Sequence, residues 1–128
     1  MFKKNKPTLP LDIVPPSGLF VKAPGGQVWY VKAGGRYSVS DIHLASWGVT
    51  PVSITNTALL LVPERGKIGF RDGTVCQDFG DGRMYLISDS KKRLIANPAV
   101  YEALGGDKVC HSVPSEYLRV HAEGDSID

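Results

Sequence analysis

Long apolar runs are missing from this sequence. The longest, Ala58 to Pro63, falls far short of the roughly 20 residues that a bilayer-spanning helix needs. The first residues contain lysines but no continuous apolar region and no small-residue cleavage site, so they do not read as a signal peptide. Cysteine is scarce: Cys76 and Cys110 can form at most one bridge, and free, largely buried thiols are the expectation. The three histidines, His43, His111 and His121, have no metal-binding spacing, and no Cys-x-x-Cys pair or phosphate-wrapping Gly-rich motif is present. Asp78, Asp81 and Asp89 do not follow a calcium-loop spacing. The expectation is therefore a protein that is not an enzyme, with no catalytic residues, no metal and no cofactor. A remote site joining Cys76 or Cys110 to His111 stays open, because nucleophile and base meet in space rather than in sequence. Apolar filling by the cysteines and solvent exposure of the histidines is the simpler reading.

What is present fits a small folded protein. The 128 residues are 42% apolar, enough for a modest core. Net charge is only +2 but unevenly spread. Residues 1–16 hold three lysines against one acid, and residues 17–71 hold six basic against two acidic residues. Residues 72–120 hold six against seven, and His121 to Asp128 has three acids with no Lys or Arg. Such polarity orients a partner or a second copy; ordinary solubilising surface charge accounts for it equally well.

The dominant pattern is an internal repeat. Ser17-Gly18-Leu19-Phe20-Val21-Lys22 matches Asp72-Gly73-Thr74-Val75-Cys76-Gln77, and Val28-Trp29-Tyr30-Val31 matches Met84-Tyr85-Leu86-Ile87. Glycine-rich turns separate these runs, whose aromatic and β-branched content favours strand. Third segments follow at Arg36 to Val39 and Lys92 to Ile95. Short helices are then expected, capped by Ser40 in the first copy and by Asn97 with Pro98 in the second. Pairing Gly18 with Gly73, Tyr30 with Tyr85, Arg36 with Arg93, Gly48 with Gly105, Val52 with Val109 and Leu61 with Leu118 requires about two inserted residues near the second turn. The expected fold is α+β: two degenerate ββ(β)α repeats, residues 17–71 and 72–120, packed as one compact unit. An extended N-terminal arm, residues 1–16, and an acidic C-terminal tail, residues 121–128, flank them.

The second copy, Asp72-Gly73-Thr74-Val75, Met84-Tyr85-Leu86-Ile87, Lys91-Lys92-Arg93-Leu94-Ile95 and Tyr101-Glu102-Ala103-Leu104-Gly105, resembles short repeats of actinobacterial surface and secreted proteins and of small virion proteins of actinobacterial phages. The first copy follows the pattern loosely and has Ala33-Gly34-Gly35-Arg36 near the place of the basic Lys91-Lys92-Arg93. The resemblance implies a noncatalytic structural or adhesive module and identifies no binding residues.

Four prolines bias residues 1–16 toward extended structure, with Leu9, Leu11, Ile13 and Val14 as apolar anchors between them. The expectation is a virion protein made in the host cytoplasm: a capsid or tail accessory component whose arm lies on a neighbouring subunit, either another copy or another virion protein. Trp29 and the basic Lys91, Lys92 and Arg93 complete the candidate partner contacts. A glycan- or protein-binding surface module, with Trp29, Tyr30, Tyr37 and Tyr85 as an aromatic platform, is the competing reading. Nucleic-acid contact through the lysines ranks below both, because the positive excess is small; membrane insertion is not expected.

Overall fold

Turn chemistry sets the strand boundaries. In the computed structural model, which describes residues 13–128, the chain divides after Ile68 into two units, each with its own sheet. The fold is mixed α+β.

The first unit begins with an antiparallel meander, β1 (Phe20–Lys22), β2 (Val28–Lys32) and β3 (Gly35–Val39). Helix α1 (Asp41–Ala45) follows, its first turn closed by the Ser40 hydroxyl accepting from the His43 amide. The chain then forms β4 (Val52–Ser53), parallel to β1. Helix α2 (Asn56–Leu60) is capped by Thr55, and β5 (Glu64–Lys67) runs parallel to β3. The sheet order is β4-β1-β2-β3-β5.

Alternation along the strands gives this sheet two apolar faces. Val21 and Val31 pack with Ile54, Ala58 and Val62 on the α2 side, while Phe20, Val28 and Val39 meet Leu44 and Trp47 on the α1 side. Helices of five residues do not persist alone in water; burial of Ala58 and of the Leu44 and Trp47 side chains holds them.

The second unit runs through β6 (Val75–Asp78), β7 (Met84–Ser88), β8 (Lys91–Leu94), α3 (Pro98–Ala103), a 3-10 turn (Gly106–Lys108), β9 (Cys110–Val113) and α4 (Ser115–Leu118). Asn97 caps α3 by accepting from the Ala99 amide, and Pro98 occupies the first turn. The sheet order is β8-β7-β6-β9, with β9 parallel to β6. Phe70, Cys76, Tyr85, Ile87, Val113 and Leu118 form the core.

The same backbone hydrogen bonds recur in both units. Gly18 N donates to Val31 O as Gly73 N does to Ile87 O, and Val31 N donates to Leu19 O as Ile87 N does to Thr74 O. At the far edge Arg36 N donates to Pro63 O and Ile68 N to Ser38 O; in the second unit Lys92 N donates to Ala122 O and Ile127 N to Leu94 O. Residues 121–128, expected as a tail, thus run beside β8 much as β5 runs beside β3, with parallel bridges Lys92 to Glu123 and Ile95 to Ile127.

This wiring corrects several residue correspondences. The first hairpin is one residue longer in the second unit, where Asp78 N reaches Arg83 O across four residues; Ala23 N reaches Gln27 O across three. The extra residue lies there, not at the second turn. Ala33 (φ 51°) with Gly34 (φ 76°), and Asp89 (φ 53°) with Ser90 (φ 60°), make the second turns equal in length, with both central residues left-handed as two-residue hairpins favour. Because side-chain period in a strand is two, a shift of one changes faces. Tyr30 pairs with Phe20 and Tyr85 with Cys76, so Tyr85 takes the place of Trp29, not of Tyr30. Lys92, opposite Ile87, takes the place of Arg36, opposite Val31. Likewise Leu118 corresponds to Leu59, whose carbonyl receives the Val62 amide as Leu118 O receives that of His121.

Candidate functional site

The buried polar residues His43, Asp78 and His121 are occupied by structure, whereas the buried Trp29 Nε1 and Arg36 Nε have no hydrogen-bond partner among the described residues. His121 is buried: its Nε2 accepts from the Phe70 amide at 2.9 Å, and its Nδ1 lies 2.7 Å from the Ser90 carbonyl, to which it donates in that tautomer. Ring and strained turn are thereby tied together. His43 is also buried, with Nδ1 2.8 Å from the Ser40 hydroxyl. Of the three histidines expected at the surface only His111 is exposed, because the other two satisfy a backbone amide or a capping hydroxyl.

Asp78 closes the first hairpin of the second unit. Its Oδ1 accepts from the Ser115 hydroxyl at 2.5 Å and from the Gly80 amide at 2.7 Å. These bonds, the Ser115 hydroxyl foremost, hold its carboxyl below the ordinary value of 3.8. The tip beyond is braced again by Asp81, which accepts from the Arg83 amide at 2.9 Å. Tyr101 donates to Asp107 at 2.5 Å, and that bond, before burial and the neighbouring Cys110, raises its hydroxyl pKa.

Both cysteines are free. Cys76 sits in the core opposite Tyr85 and His111, and burial, followed by the nearby Cys110, pushes its thiol up to about 12 from 9.0. A thiol kept neutral this way does not attack. Disulfide-exchange labelling of the folded protein at neutral pH is expected to modify Cys110, half-buried, well before Cys76. Equal labelling rates at both would contradict this burial. The linkage has a definite sign: a raised folded-state pKa favours the folded form below pH 9, and this contribution is lost as pH rises from about 9 to about 12.

Among the candidate contacts, Leu9 and Leu11 lie outside the described residues. Ile13 and Val14 are exposed. Trp29 is half-buried against the α2 side of its sheet, with the Arg36 guanidinium 4.5 Å above its ring. Arg36 Nη1 in turn donates to Leu59 O at 2.7 Å and Val62 O at 3.1 Å, closing the end of α2. In the second unit Lys92 stands 5.6 Å from the Tyr85 ring, so the cation-over-aromatic pair occurs twice. Arg93 Nε donates to Asp125 O, and Lys91 is exposed at the start of β8. Acidic residues of the last segment thus lie along the basic strand. Trp29 belongs to the first unit and Lys91 to Arg93 to the second. The four aromatics do not form an open platform. Tyr85 is buried, and Tyr30 packs between Phe20 and Trp47 at 4.8 and 6.0 Å.

Sequence reasoning overlooked the two most exposed large apolar side chains among the described residues, Phe79 at 78% and Leu60 at 77%. Leu61 is exposed beside Leu60. Phe79 was legible only as part of a turn, and Leu60 only as one of an apolar run. No family model, curated protein or solved structure matches the chain. Among the described residues no three His, Cys, Asp or Glu side chains gather as a metal site, and no helix is long and apolar enough to cross a membrane.

Proposed function

We propose that this protein is a noncatalytic structural component of a virion, a capsid or tail accessory protein, that is built from two degenerate copies of one β-meander-plus-helix unit. Its N-terminal residues 1–16 make the contact to a neighbouring subunit. The virion setting rests on the sequence resemblance of the second copy. The observation that carries an assembly role is the exposure of Ile13 and Val14, two aliphatic side chains beside the buried Pro15. Contact with a neighbour removes such surface from water. Duplication is supported by the recurrence of the strand pairings, including the last parallel segment of each unit.

Deleting residues 1–16 is expected to leave circular dichroism of the purified protein nearly unchanged and to lower its incorporation into particles, measured by quantifying the protein in purified assemblies. Undiminished incorporation would reject the arm as the contact.

A further inference from the structure

Charge and apolar exposure are divided between the two units in a complementary way. Without the arm, residues 17–68 hold five Lys and Arg against two Asp and Glu, a net of +3, and residues 69–128 hold seven against ten, a net of −3. Each folded repeat also bears an exposed apolar feature at a place where the equivalent position of the other has none. Phe79 lies in the four-residue hairpin tip of the second unit; the first unit spans that turn with Pro24-Gly25-Gly26. Leu60 and Leu61 end α2 in the first unit, and the equivalent positions after α4 hold Arg119 and Val120.

The Phe79 tip is preorganised. Asp78 fixes the Gly80 amide and the Ser115 hydroxyl, Phe79 N donates to Val113 O, and Gly82 N donates to Asp78 O. Little backbone freedom is left to lose on binding, which lowers the cost of placing an aromatic anchor. The anchor thus stands on an acidic unit and the aliphatic surface on a basic one.

We infer that a second copy of this chain is the partner: the Phe79 tip of one copy packs on Leu60 and Leu61 of the next, and the acidic unit of the first faces the basic unit of the second. This inference rests on the assembly reading above and adds a contact that does not use the arm. Because the two surfaces differ, the association is heterologous, closing into rings or continuing as filaments according to the rotation between copies. Opposite net charge makes it stronger at low salt.

Sedimentation equilibrium of the full chain tests it. Concentration-dependent association is expected at low salt and weakens at high salt. Phe79→Ser, and separately Leu60→Ser with Leu61→Ser, are each expected to weaken it on the order of thirtyfold. These side chains are exposed, and circular dichroism checks that the folds are kept. An equimolar mixture of the two variants retains one intact Phe79 surface and one intact leucine surface, so it is expected to form a dimer and nothing larger. Full chain with Leu9→Ser and Leu11→Ser is expected to associate as the unaltered protein does. A wild-type monomer at low salt, or a mixture that stays monomeric, overturns the inference. Association abolished by the Leu9 and Leu11 changes and untouched by Phe79→Ser would overturn it too, while leaving the arm reading intact.

Discussion

Replacing Gly69 with alanine is expected to destabilise the second unit by about 2–4 kcal/mol, the combined scale of overpacking and of losing buried hydrogen bonds. A Cβ at this position would lie 2.3 Å from His121 Nε2 and 2.5 Å from Val120 Cγ1, well inside van der Waals contact. The imidazole cannot simply step aside. Its two nitrogens bridge the Phe70 amide and the Ser90 carbonyl, so displacement leaves both without this partner and loosens a turn with two left-handed non-glycine residues. Urea unfolding followed by circular dichroism gives the magnitude, and hydrogen exchange locates it: amides of β6 to β8 should lose protection while those of β1 to β3 keep theirs. Wild-type stability in Gly69→Ala would contradict the contact. His121→Ala provides the companion measurement, removing the bridge without adding a clash.

The second large effect is expected at Arg36. Arg36→Ala removes a charged donor to the Leu59 and Val62 carbonyls and the cation above Trp29. Hydrogen bonds from charged groups contribute about 1.5–3 kcal/mol each, and a cation over an aromatic ring adds about 0.5–1. Water reaching the freed carbonyls offsets part of this, so a loss of about 2–3 kcal/mol is expected from denaturant midpoints. Arg36→Lys separates the contributions: an ammonium that stays above the ring has no second nitrogen in the place of Nη1, the one atom that reaches both carbonyls. A lysine variant with full wild-type stability would mean that helix closure at α2 contributes little.

Local signals in the sequence were sufficient for the meanders and the first helix of each unit. Ser40, Asn97 and Pro98 act where their chemistry places them, and the glycine-containing turns fall between the expected strands. The parallel edges were not legible. β4 is two residues long, and residues 122–127 carry no alternating apolar pattern; both positions are fixed by partners 31 or 32 residues away, as in Val21 with Val52 and Ile95 with Ile127. The same limit applied to the aromatic residues. Matching Tyr30 to Tyr85 by identity ignored one extra turn residue, and that residue decides which face each ring occupies. Arg36 was visible as a basic strand residue. Its role as a helix closure depends on α2 ending beside it, which no spacing within the sequence encodes.

Both tryptophans, Trp29 and Trp47, fall in the first unit, and both cysteines, Cys76 and Cys110, fall in the second. Each half of the molecule therefore carries a private reporter: intrinsic indole fluorescence follows the first, and thiol accessibility follows the second. Coincident transitions by the two probes would mark a single cooperative block, and separated transitions two blocks that melt in turn. The cooperativity of the two copies can be measured on the native sequence, without adding a label.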